Sequence, residues 1–177
     1  DATVSIIGGT GDIGSACARI LADMAKRIIV TGRTPENLKW IQVQLQRISR
    51  AKIETSLDNN QAAGEADVVI AAASSTQSIV DIQRIKSGAV VCDIGYPKNI
   101  SYLETSRNDI LVFSGGLAEL PQELDLGFDI GLPSTKIMYG CFAEAIILDL
   151  AEHYESYSFG KGNITKSGVE MIYKLGE

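Results

Sequence analysis

The chain has 177 residues, 45% hydrophobic and 21% charged, with 17 glycines and 4 prolines, a balance that supports a buried core and excludes disordered and collagen-like chains. Sixteen basic against 22 acidic residues leave a net charge of -6, with no basic run of five, so nucleic acid is not an expected partner. No apolar stretch reaches the ~18 residues of a membrane helix, and nothing at the start resembles a signal peptide. In chain order, Thr3 to Ile7 is a short, largely β-branched strand that runs into Gly8-Gly9-Thr10-Gly11-Asp12-Ile13-Gly14. Ser15 to Lys26 is a predicted helix, with Ala16, Ile20 and Leu21 on one face. Arg27 to Thr31 is a second strand, stopped by Gly32. A helix opens at Pro35, where Leu38, Ile41, Leu45 and Ile48 carry the buried stripe. Lys52 to Thr55 is a weak third strand, and Asp67 to Ala73 a fourth, apolar enough to be covered on both faces. Gly88 to Ile94 and Ile110 to Phe113 are the fifth and sixth. Lys136 to Tyr154 is expected as one long helix and Thr165 to Leu175 as another, with a turn at 160–163 between them.

Strands alternating with helices at short spacing predict an α/β fold: a doubly wound, mostly parallel six-stranded sheet with C-terminal helices. The whole of 1–177 is expected as one domain, with a helical segment at 134–177. The sequence starts at Asp1 without an initiator methionine, so the natural polypeptide is expected to begin earlier. Cys17, Cys92 and Cys141 are an odd, scattered set with one histidine in the chain. That excludes a zinc site and a disulfide scaffold, and points to reduced thiols in the cytoplasm.

Gly9-x-Gly11-x-x-Gly14 sits after a strand and opens a helix, where a dinucleotide-binding loop belongs. One glycine makes the tight turn, one admits a pyrophosphate and one lets helix pack on strand. The N–H groups around Asp12 and Ile13 then face an anion at the helix start, with Thr10 in the same loop. The alternative is a glycine-rich turn without a ligand. An acid that would bind a free ribose 2′-hydroxyl is expected about 20 residues on. Arg33 and Thr34 stand there instead, Arg33 being 24 residues after Gly9. A guanidinium suits a phosphate, so NADP (NADPH) is the expected cofactor; a solvated surface arginine is the other reading. Ligands of such folds lie at the carboxyl ends of the strands. Ala72, Ala73 and Ser74 follow the fourth strand, Gly95 the fifth and Gly115 the sixth, and their small side chains leave room for ribose and nicotinamide.

Thr31-Gly32-Arg33-Thr34 and Asp93-Ile94-Gly95-Tyr96-Pro97 resemble the NADP-binding Rossmann domain of the shikimate dehydrogenase group. A closer resemblance adds Gly8-Gly9-Thr10-Gly11-Asp12-Ile13-Gly14-Ser15, Lys98-Asn99, Cys141-Phe142-Ala143-Glu144 and the tail at 157–165. Together these look like the C-terminal half of long-chain acyl-acyl carrier protein reductases, across essentially the whole chain. The resemblance implies a reductase taking an acyl-carrier or other small thioester substrate. It also implies an N-terminal domain, shaping the acyl site, that this sequence does not contain.

By its residues alone, Cys141 is a small core hydrophobe in a stripe with Met138, Ala145 and Leu148. The resemblance instead implies a catalytic nucleophile that takes the acyl group as a thioester, which hydride from NADPH converts to an aldehyde. That role requires a thiolate. Gly140 could break the helix and place the thiol at a fresh N-terminus. Cys17 and Cys92 are expected to be inert packing, His153 a surface residue, and Glu144 a group one turn from Cys141. Ile146, Ile147, Leu150 and Ile172 are expected to be covered by the preceding domain or by a second copy of the chain, a homo-oligomer. Two other functions remain open: a shikimate-type dehydrogenase of an alcohol or amino acid, with its acid-base lysine in the absent domain, and a nucleotide-sensing module without chemistry.

Overall fold

The computed structural model describes residues 2–101, 107–158 and 162–177. It divides into two compact units, Asp1–Gly115 with Ser158–Lys166, and Gly116–Tyr157 with Ser167–Glu177. In the first, β1 (Thr3–Ile7), α1 (Asp12–Leu21), β2 (Arg27–Thr31), α2 (Pro35–Ile48), β3 (Lys52–Ser56), α3 (Asn59–Glu65) and β4 (Val68–Ala71) alternate strictly. A short 3-10 turn at Ile82–Arg84 then leads to β5 (Val90–Asp93) and β6 (Leu111–Ser114). The six strands form one sheet in the order β3-β2-β1-β4-β5-β6, and every neighbouring pair is parallel. This is the doubly wound topology expected from the alternation of elements.

Alternation within each strand divides the core between the two faces of the sheet. Ile6, Ile28 and Val30 pack with Leu38, Ile41 and Leu45 of α2 and Ala18 of α1. Ile7, Ile29, Val69 and Val91 pack on the other face with Ala62 and Ala63 of α3. Each of the isoleucine, leucine and valine side chains contributes about 1.5–3 kcal/mol when fully buried. The strand order reverses between β1, which turns toward β2, and β4, and the crevice at that switch point positions the candidate site.

Several elements differ from the sequence expectation. Helix α1 begins at Asp12 rather than Ser15, with Gly11 as its N-cap, so the helix starts inside the glycine motif. Helix α3 was not anticipated, because seven residues are too few for periodicity to show; the Asp58 carboxylate caps it by accepting from the Asn60 and Gln61 N–H groups. The long helix expected from Lys136 to Tyr154 is a correction. In the second unit, Ile137–Tyr139 is instead a strand, β8, paired antiparallel with β7 (Leu117–Glu119), and α4 spans Gly140–Leu150. Ile137, Met138 and Tyr139 satisfy an apolar helical stripe and a strand equally well. Their pairing with residues about twenty positions earlier, invisible to local periodicity, decides between the two. The second C-terminal helix, α5 (Lys166–Leu175), lies within a residue of its expected limits. Residues 160 and 161 of the expected turn, and 159–161 of the tail motif, lie outside the described residues. The described part of that tail is anchored in the first unit, where the Arg19 guanidinium donates to the carbonyls of Gly162 (3.4 Å) and Ile164 (3.2 Å).

Candidate functional site

The loop after β1 is shaped by two glycines. Gly8 has φ +75°, and a Cβ there would sit 2.6 Å from Ala73 Cα, so the loop lies against the segment after β4. A Cβ on Gly14 would lie 2.5 Å from the Gly8 carbonyl oxygen and 2.8 Å from Gly9 Cα, so α1 packs directly on the loop that precedes it. Neither approach tolerates a side chain. Thr31, fully buried at the end of β2, ties the loop down: its hydroxyl accepts from the Gly8 N–H (3.2 Å) and its carbonyl from the Gly9 N–H (2.9 Å). The Gly11 N–H donates to the Gly8 carbonyl, and the first intrahelical bond runs from the Ser15 N–H to the Gly11 carbonyl. The N–H groups of Asp12, Ile13 and Gly14 precede that bond, at the positive end of the helix dipole, where an anion is stabilised.

A cleft of about 760 Å³ opens at this edge of the sheet. Of the residues expected from the sequence, Gly11, Asp12, Ile13, Arg33, Ala72, Ala73 and Ser74 line it. Gly9, Thr10 and Gly14 form the loop behind it. Thr34 is the exposed N-cap of α2, with no capping bond from its side chain. Arg33 is exposed and makes no ion pair among the described residues. Gly95 and Gly115 follow β5 and β6 along the same edge and do not line the cleft. Leu57 and Asn59, unforeseen from sequence, extend its wall beyond β3.

Sequence reading also missed the lock behind the cleft. Asn99 is fully buried, and its side-chain amide pairs with the backbone of Ala73 in both directions: Oδ1 accepts from the Ala73 N–H (2.8 Å) and Nδ2 donates to the Ala73 carbonyl (2.9 Å). Asp93, equally buried at the end of β5, accepts from the N–H groups of Gly95 (2.9 Å) and Ile100 (3.0 Å), while the Lys98 ammonium donates to its carbonyl (2.9 Å). Burial pushes the Asp93 carboxyl above the ordinary carboxylate range, against the lowering effect of those amide bonds. A polar pair closing an apolar strand was the available signal, because buried polar side chains need partners.

Cys141 lies in the first turn of α4 in the second unit and is exposed. The helix starts at Gly140, whose N–H donates to the Gly116 carbonyl (2.7 Å), so the thiol sits at a helix N-terminus. Cys17 and Cys92 are half-buried in the first unit. Burial pushes both thiols up, helped by the neighbouring Cys92 for Cys17 and by Asp93 for Cys92. His153 is exposed, with Nδ1 3.2 Å from the Tyr157 hydroxyl. Among the described residues no cluster could hold a metal ion, and no helix is long and apolar enough to cross a membrane.

The chain is 34% identical over 179 residues to the long-chain acyl-[acyl-carrier-protein] reductase of Synechococcus elongatus, an alignment covering 97% of this chain and 50% of that protein. It is 25% identical over 177 residues to the aminotransferase PigE of a Serratia species, covering 98% of this chain and 20% of that protein. The chain thus spans half or less of these relatives' length. Among solved structures, the nucleotide-binding domain of Thermoplasma volcanium glutamyl-tRNA reductase covers 62% of this chain and 73% of its own, at 22% identity and a TM-score of 0.47. The family model of shikimate / quinate 5-dehydrogenase matches residues 1–114, which are β1 through β6 with the glycine loop and the Asp93–Asn99 lock. On that match, the chain belongs to the shikimate / quinate 5-dehydrogenase family.

Proposed function

We propose that the chain is the NADPH-binding, cysteine-bearing part of a reductase that converts an acyl thioester to an aldehyde. The observation that carries the cofactor reading is the cleft at the switch point. Its floor is a helix start with three N–H groups ahead of the first helical bond, and its rim at β2 bears Arg33 where an acid would bind a 2′-hydroxyl. A cleft of about 760 Å³ also falls within the ~300–1,000 Å³ range of ligand pockets. The first-turn N–H groups would hold the pyrophosphate, Arg33 the 2′-phosphate, and the backbone near Ala73 the nicotinamide side. NADPH supplies hydride when bound.

The acyl step belongs to Cys141. Its thiolate attacks the thioester carbonyl, forming a new carbon–sulfur bond; the carrier's carbon–sulfur bond breaks and the carrier leaves as thiolate. Hydride from bound NADPH, which would leave as NADP+, would add to the carbonyl of that thioester, and the carbon–sulfur bond to Cys141 would break, releasing the aldehyde and returning the Cys141 thiolate. Three observations support this assignment: the resemblance of the Cys141-Phe142-Ala143-Glu144 motif, the 34% identity to an acyl reductase, and the exposure of this thiol in the first turn of α4. Incubation of the full chain with a long-chain acyl thioester, followed by peptide mass spectrometry, is expected to find the acyl group on Cys141. An adduct absent from Cys141, with turnover intact, would refute the assignment.

The family match to residues 1–114 favours a second reading, a dehydrogenase of an alcohol or amino acid using the same cleft without Cys141. Cys141→Ser separates the two, since only the acyl-transfer enzyme loses activity.

A further inference from the structure

Arg19 lies in the last turn of α1, the helix whose first turn lines the cleft. It stands seven residues after Asp12, about 10 Å along the axis at ~1.5 Å per residue. A cation there suits the negative end of the helix dipole, but the guanidinium is used for more than that. It is half-buried and forms no ion pair among the described residues. Its Nη2 donates to the carbonyls of Gly162 (3.4 Å) and Ile164 (3.2 Å), 143 and 145 positions away. Two carbonyls of one short segment thus converge on one charged donor. Gly162 has φ +85°, a left-handed turn that favours glycine. A Cβ there would meet nothing within 4 Å, so conformation rather than space asks for glycine at this position.

The segment held in this way is the joint between α4 and α5. The chain leaves the first unit after Gly115, returns to it at Ser158 and leaves again after Lys166. Fastening the joint shortens the free chain that carries α4 and α5, and a shorter tether raises the effective concentration of whatever it carries. We infer that Arg19 is a positioning residue: it fastens the α4–α5 joint to the cofactor helix, so that the acyl group on Cys141 meets hydride as a tethered, intramolecular partner. A guanidinium suits the task, because it stays charged and strengthens its bonds to both carbonyls. This inference rests on the acyl-reductase reading above and adds the residue that couples its cofactor half to its cysteine half.

The test uses the full-length protein with Arg19→Met, Arg19→Lys and Gly162→Ala. Arg19→Met keeps an unbranched stem and removes the donors. Gly162→Ala disturbs the turn from the other side and leaves α1 untouched. Hydrogen exchange read by peptide mass analysis is expected to show 162–175 exchanging severalfold faster in Arg19→Met and Gly162→Ala, with 3–31 unchanged. NADPH affinity and the rate of acyl transfer to Cys141 should stay close to the parent's. Aldehyde release from preloaded acyl-Cys141 should fall about tenfold or more, the scale on which misplaced reacting groups lose rate. The loss therefore falls on kcat and spares the KM for NADPH, and Arg19→Lys, which keeps a cation of similar reach, should restore part of it. The inference is overturned if Arg19→Met leaves the exchange of 162–175 at the parent's rate, or if exchange rises while aldehyde release is unchanged. It is also overturned if both Arg19→Met and Gly162→Ala lose thermal midpoint and NADPH affinity together, the mark of a general loss of fold. A parent that forms no acyl-Cys141 overturns the acyl-reductase reading, and the positioning role with it, while the exchange comparison still decides whether Arg19 fastens the joint.

Discussion

Arg33 and Cys141 are the two side chains whose chemistry is most exposed to test. Arg33 is solvent-facing on the cleft rim and unpaired among the described residues, so its removal should leave the fold intact. A charge-assisted hydrogen bond contributes about 1.5–3 kcal/mol. Arg33→Ala is therefore expected to weaken NADPH roughly tenfold or more, with NADH nearly unaffected; calorimetric titration of both cofactors checks this, and parallel losses would refute it. Cys141 is exposed, whereas Cys17 and Cys92 are half-buried thiols that burial disfavours as thiolates. Iodoacetamide should label Cys141 first, with the order read by peptide mapping over time. Labelling of Cys17 or Cys92 ahead of Cys141 would contradict the exposed-thiol account.

At the scale of elements, the cleft depends on two connections that no single motif announces. The loop after β4 is held by Asn99, whose amide replaces the strand partner that the Ala73 backbone would otherwise lack. Asn99→Ala leaves the half-buried Ala73 N–H and C=O without their partner, at a cost of about 1 kcal/mol or more. A lower thermal midpoint is expected, together with weaker NADPH binding, because Ala73 also abuts Gly8 of the glycine loop. Loss of stability without loss of affinity would show that the lock and the loop are independent. The antiparallel pair β7–β8 is the counterpart in the second unit. It ends at Tyr139, and α4 begins at the next residue, so the strand pairing sets where the helix starts and places Cys141 in its first turn.

For the molecule as a whole, the charged surface has a definite pH signature. Hydrogen bonds hold the carboxyls below their ordinary range: Lys52 and Arg27 for Glu54, Lys86 and the Thr3 N–H for Asp67, and Arg107 for Asp109. A depressed native pKa contributes stability above the unfolded carboxylate range that is lost as pH falls through the native values. Asp93 acts oppositely, since burial raises it and its contribution fades as pH rises through its native value. Three groups against one predict a thermal midpoint that declines on acidification below about pH 4, near the unfolded carboxylate pKa. A midpoint that rises there would refute this balance; because these pairs are largely exposed, high salt should flatten the decline. Strand–helix alternation, the buried stripes of β1, β2 and α2, the glycine loop and Arg33 were all legible in the sequence, because each is a local pattern of apolar spacing or of residue type at a fixed offset. The Asn99 lock on Ala73 and the strand at Ile137–Tyr139 were not, because each depends on a contact between residues about twenty or more positions apart that only the folded arrangement brings within reach. The start of α1 inside the glycine motif and the Asp93 bonds are local, but they turn on backbone hydrogen bonds that apolar spacing does not report. Local chemistry thus determined that this chain has a dinucleotide-type fold with an arginine on the rim of its cleft, while tertiary packing decided which N–H groups stand ahead of the first helical bond of α1 and which positions cannot carry a side chain.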